Sequence, residues 1–123
     1  MSKVIFDALF QKYTRAVTRT DVDEIVSIYA PEARIQIPVG SPWHEGIDAI
    51  NVFYRENELA ESLAIAGPAC VAGLEAAVPL LARIRQEDRL VEIDVVDVAE
   101  IDAAGRVLSM RAFFDLEGAR VVS

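Results

Sequence analysis

A single cysteine, Cys70, excludes an internal disulfide framework. With one histidine, His44, the chain cannot assemble the usual Cys/His zinc sets. Glycine is scarce, six in 123 residues, and none stands in a phosphate-cradling loop or a nucleophile elbow. Basic residues are outnumbered, twelve Lys and Arg against twenty Asp and Glu, for a formal charge of −8. That field repels phosphate backbones and anionic lipid, so neither nucleic acid nor membrane is an expected partner. Long apolar runs are missing as well, because Gly67, Pro68, Gly73 and Pro79 cut them well short of a membrane span. The opening stretch MSKVIFDALFQKYTRAV mixes charges into its apolar positions and does not read as a signal peptide.

What is present is apolar bulk. Hydrophobic residues make up 53% of the chain, enough for a sizeable core. With no repeat, linker or low-complexity tract, the expectation is one cytoplasmic domain spanning 1–123.

Periodicity supplies the elements. Val4, Ile5, Ala8, Leu9, Lys12, Tyr13, Ala16 and Val17 recur at helical spacing after Ser2, and all but Lys12 form one apolar stripe centred on Tyr13. Asp21-Val22-Asp23-Glu24 is a capping box, predicting a second helix to about Tyr29, ahead of Pro31. Ala33 to Ile37 alternates as a half-buried strand closed by a turn over 38–42. The loop Trp43-His44-Glu45-Gly46 leads to a third helix, Ile47 to about Glu61, with Ile47, Ile50, Phe53 and Tyr54 facing inward. Strands follow over about 63–72, 74–85, 89–101 and 106–115, and Pro79 predicts a bulge or bend. The layout is α+β, three N-terminal helices packed in a curved antiparallel sheet. The open end of such a sheet makes a conical pocket suited to a small molecule.

Chemistry-bearing residues are few. Tyr13, Tyr29 and Tyr54 fall on inward helix faces, and buried phenols need partners, most simply one another. Asp97 shares a strand face with Ile93 and Val95, opposite Asp94 and Val96. If that face is interior, Asp97 is a buried acid with a raised pKa, able to stay protonated and donate a hydrogen bond. If Asp94, Val96 and Val98 face inward, Asp97 is merely solvated. Periodicity does not choose. His44, alone beside Trp43, reads as a loop residue rather than a general base.

Taken together, Tyr13, Asp21, Tyr29-Ala30-Pro31-Glu32-Ala33, Pro38-Val39-Gly40, Gly46, Ala49-Ile50 and Phe53-Tyr54 resemble bacterial steroid delta-isomerases (ketosteroid isomerases). The similarity resumes at Val96-Asp97, Gly105-Arg106-Val107, Ser109-Met110-Arg111-Ala112 and Phe114, with 56–90 matched mainly by length. The wider group is NTF2-like or SnoaL-like, a cystatin-like α+β roll. The resemblance implies an oxyanion hole of Tyr13 and a protonated Asp97, with Tyr54 and Tyr29 as a supporting hydrogen-bond chain. It also implies a steroid or similar fused-ring ketone walled by Ile37, Val39, Trp43 and Phe114, no cofactor, no metal, and a homodimer. Val96, Val98, Val107 and Met110 would supply the outer sheet face for that dimer.

One departure changes the chemistry. The family's proton-moving carboxylate precedes Pro-Val/Phe-Gly, and here that position is Ile37. Gln36 faces the other way, Glu32 lies at the far end of the strand, and only Glu58 or Glu61 near the third helix remain as acids. Three readings follow: an isomerase with a relocated base, a SnoaL-like cyclase or dehydratase acting on another substrate, or a binding module without turnover.

Overall fold

The computed structural model describes residues 2–122. Three helices, α1 (Ser2–Thr18), α2 (Val22–Val26) and α3 (Ile47–Glu56), pack on a curved, open sheet of eight strands. The strands are β1 (Tyr29–Gln36), β2 (His44–Glu45), β3 (Ser62–Ile65), β4 (Cys70–Ala72), β5 (Glu75–Gln86), β6 (Arg89–Ile101), β7 (Val107–Phe113) and β8 (Arg120–Val121). Their order is β2-β1-β7-β6-β5-β3, with β4 also on β5 and β8 on β6. No helix among the described residues is long and apolar enough to cross a membrane.

The core follows from the two periodicities. Phe6, Leu9, Phe10, Tyr13, Ala16 and Val17 form the buried stripe of α1. On β6 every second residue, Val91, Ile93, Val95, Asp97, Ala99 and Ile101, is buried. These faces meet in one apolar cluster with Ile25, Ile35, Ile50, Val107 and Met110. Val107 and Met110 are fully buried, so they belong to the core and not to the outer face expected of them. Val96, by contrast, is exposed on that outer face.

Several boundaries differ from the sequence reading. The sheet is mixed, because β1 runs parallel to β7. The second helix ends at Val26, where the Ser27 hydroxyl bonds the Glu24 carbonyl and a following strand takes over. Tyr29 therefore opens β1, paired with Val107, and Pro31 sits within an irregular stretch between Tyr29 and Arg34. The third helix stops at Glu56, since Asn57 turns extended with its backbone and side-chain N–H groups both on the Phe53 carbonyl. The strand expected over 63–72 is two, β3 and β4, separated by the segment containing Gly67-Pro68.

Pro79 causes no bulge. The β5–β6 register is continuous from Glu75↔Glu100 to Gln86↔Arg89. The Pro79 carbonyl accepts from Ala66 N–H, the next position in the β3–β5 register, and proline has no N–H to return that bond, so the β3 ladder ends there.

Gly46 fixes where α3 begins. Its φ of +89° and ψ of 154° lie in a region close to glycine-only, its N–H bonds the Ala33 carbonyl, and its carbonyl accepts from Ile50. A Cβ there would touch nothing, so the penalty of Gly46→Ala is conformational. Urea unfolding of Gly46→Ala is expected to show a loss of about 1–3 kcal/mol; an unchanged midpoint would contradict this account of the helix start.

Candidate functional site

The concave face of the sheet and the inner faces of α1 and α3 enclose a cavity of about 170 Å³. Its walls are aliphatic and aromatic: Val17, Phe53, Leu63, Leu80, Ala82, Ile84, Ile93, Val95, Ala112 and Phe114. Engineered apolar cavities of about 150 Å³ take up benzene, so the enclosed part suits one or two rings, and a longer molecule would extend through the open end. Ionisable or hydroxyl-bearing side chains reach it at few points: Tyr13, Tyr54, Asp97 and, on the coil after α3, Glu58.

The tyrosines come from three elements and converge. Tyr13 is delivered by the buried stripe of α1, Tyr54 by the last turn of α3, and Tyr29 by the first residue of β1. The Tyr29 and Tyr54 hydroxyl oxygens lie 2.7 Å apart, and those of Tyr54 and Tyr13 lie 3.1 Å apart. All three phenols are raised well above their usual value of 10.0, first by burial. Each thus keeps its proton at neutral pH, and three protons serve two hydrogen bonds. Tyr29 lies behind the cavity wall with Tyr54 as its one hydroxyl partner among the described residues. Donation from Tyr29 to Tyr54 and on to Tyr13 avoids burying an unused donor and leaves the spare proton facing the cavity.

Asp97 answers the question that periodicity left open. It is 3% exposed, at the middle of β6, paired with Val78 on one side and Ala112 on the other. Burial alone pushes its carboxyl up to about 7, with no hydrogen bond acting on it. Asp97 and Tyr13 line the same cavity, and the Asp97 charge adds to the raised pKa of all three phenols. An unpartnered buried carboxylate costs several kcal/mol; a neutral one costs much less and presents an O–H to the cavity.

The other expected residues divide. Ile37 and Phe114 line the cavity. Val39 and Trp43 lie outside its lining: Val39 N–H bonds the Ala112 carbonyl, and the Trp43 ring carries the Arg34 guanidinium 4.2 Å from its centroid. His44 packs on the Phe53 ring at 4.9 Å. Glu61 pairs with Arg85 at 3.3 Å and lines a neighbouring groove; Glu58 lines that groove too and also borders the cavity. Val17, Leu80, Ala82 and, beside Glu58 on the coil after α3, Asn57, Leu59 and Ala60 were not anticipated. The alternation of β5 carries the signal for Leu80 and Ala82; an irregular coil carries none.

Residues 10–110 match the model of the SnoaL-like domain. The chain belongs to this SnoaL-like, NTF2-like family. It is 32% identical over 108 residues, 87% of each chain, to a steroid Delta-isomerase of Nocardioides simplex. Its fold is similar to that of SalBIII, an epoxide hydrolase/cyclase-like enzyme with a role in pyran ring formation in the polyether salinomycin. That match has a TM-score of 0.84 and 28% identity, and covers 99% of this chain and 100% of SalBIII.

The central position of Tyr54 gives this SnoaL-like chain a testable asymmetry. Tyr54→Phe removes both hydroxyl contacts, whereas Tyr29→Phe removes one at the blind end. A net hydrogen bond is worth about 0.5–1.5 kcal/mol, and a buried group left without its partner costs about 1–3 kcal/mol. Denaturant unfolding is therefore expected to rank Tyr54→Phe as the more destabilising change; the reverse order would contradict the relay.

Proposed function

We propose that this chain binds a planar, largely apolar ketone with its oxygen between Tyr13 and a protonated Asp97, and promotes enolisation that shifts a C=C bond. The observation that carries the reading is the shared placement, in one apolar cavity, of the phenol at the end of the tyrosine chain and a buried acid raised to about 7. Both donate to an oxygen that gains negative charge as the α-proton leaves, and donors fixed in a dry site stabilise such charge more strongly than water does. The apolar walls exclude water and favour a flat hydrocarbon. The likeness to a steroid Delta-isomerase supports a steroid-like ketone as the substrate class.

The test uses 2-naphthol and naphthalene, which share a ring system and differ in one hydroxyl. Fluorescence titration is expected to show tighter binding of 2-naphthol, with Tyr13→Phe and Asp97→Asn each closing much of the gap. Equal affinities for the two compounds in the native chain would contradict an oxygen-directed site.

A second reading draws on Ile37, which leaves the end of β1 without a carboxylate while Asp97 remains as an acid. Asp97 then protonates an epoxide oxygen as its C–O bond breaks, while a hydroxyl of the same substrate attacks the carbon and returns its proton to Asp97. The fold likeness to an epoxide hydrolase/cyclase-like enzyme supports this cyclisation. Under it, Asp97→Asn abolishes ring closure of a hydroxy-epoxide.

A further inference from the structure

Enolisation requires a proton acceptor as well as an oxyanion site, and Ile37 supplies none. Two carboxyl groups line the cavity among the described residues, Asp97 and Glu58. Asp97 is the donor of the proposed oxyanion site. Glu58 borders the same chamber from the coil that joins α3 to β3. Its surroundings leave it available. The nearby cations are engaged elsewhere: Arg85 with Glu61, and Arg55 with Asp23. Glu58 has no ion pair among the described residues.

Resting on the enolising reading above, we propose that Glu58 is the catalytic base of this cavity, relocated from the strand end at Ile37 to the coil after α3. The ketone oxygen is held at Tyr13 and Asp97, and the ring extends toward the mouth. The Glu58 carboxylate takes the proton from a carbon α to the carbonyl. The C–H electron pair becomes the new C=C bond, and the carbonyl π pair moves to the oxygen as the enolate forms. The carboxyl then returns the proton to the far carbon of the conjugated system, so the product is an isomer and no other reactant is consumed.

The experiment follows deuterium uptake from heavy water into the α-positions of a fused-ring ketone by NMR, for the native chain, Glu58→Gln, Glu61→Gln, Ile37→Asp and Ile37→Asp/Glu58→Gln. Glu58→Gln is expected to lower uptake about 10²–10⁴-fold, with 2-naphthol affinity and thermal stability unchanged, as suits an exposed residue. Glu61→Gln is expected to match the native chain, and Ile37→Asp to restore uptake to Glu58→Gln. Uptake by Glu58→Gln within twofold of native overturns the role of Glu58. So does an inert native chain beside an active Ile37→Asp, and in both cases the enolising pocket stands. No uptake by any of the five, Ile37→Asp included, overturns the enolising reading and the base with it.

Discussion

In a chain that carries Glu58→Gln, Ile37→Asp is expected to raise the rate of double-bond migration in a non-conjugated 3-oxo steroid by about 10²–10⁴-fold, the usual contribution of a positioned general base. Ile37 directly follows β1, whose last three residues are in register with Ser109, Met110 and Arg111 of β7. The residue just beyond that ladder lines the cavity together with Phe53, Ala112 and Phe114. A carboxyl placed there would face Asp97 and Tyr13 across the chamber. Its apolar neighbours would raise its pKa by desolvation, which suits a base working near neutral pH. The growth of the conjugated-enone absorbance reports the reaction directly. The gain is read in a chain lacking its base because oxyanion stabilisation and proton removal are separable. An Ile37→Asp/Glu58→Gln variant that binds 2-naphthol like the native chain and yet isomerises no faster than Glu58→Gln would contradict the oxyanion assignment.

The second large effect is on stability. Asp97 titrates at about 7 in the folded chain against an ordinary value of 3.8. Between those values the folded protein holds a proton that the unfolded chain has released, so stability falls as pH rises through this window. The difference amounts to about 4 kcal/mol at about 1.4 kcal/mol per pKa unit. It is absent below the lower value and fully developed above the upper one. Asp97→Asn keeps the shape and removes the titration. Urea unfolding at a series of pH values is therefore expected to show the Asn variant gaining on the native chain by up to about 4 kcal/mol between pH 4 and pH 8. Other carboxyl groups contribute to both curves and cancel. A pH-independent difference would show that Asp97 is not a buried acid with a raised pKa.

The parts of the site that were legible in the sequence lie where a single periodicity governs several turns or rungs. Tyr13 sits mid-stripe on a seventeen-residue helix, and the alternation of β6 runs unbroken over thirteen residues, so its two faces were defined. Which face is interior depended on α1 and α3 packing against it. Only the tertiary arrangement or a family resemblance supplies that. Tyr29 was expected on a helix and lies on a strand, yet it is buried in both readings, because a phenol flanked by Ile28 and Ala30 is drawn inward by either geometry. The parallel pairing of β1 with β7 joins segments far apart in the chain and leaves no local trace. Trp43 misled for a related reason. Its loop has no period, and the partner that holds it outside the cavity, Arg34, lies on the solvent side of a strand. Val107 and Met110 were assigned to the outer face without a packing partner to test against, and the core claims both.

The account rests on two hydrogen-bond donors meeting one ligand oxygen. The most direct measurement is the infrared carbonyl stretch of a bound saturated fused-ring ketone, compared among the native chain, Tyr13→Phe and Asp97→Asn. Two donors predict a stretch well below that of the same ketone in hydrocarbon solvent, with each substitution moving it part of the way back. A native stretch at the hydrocarbon value, unmoved by either substitution, would show that the cavity holds its ligand without an oxyanion site.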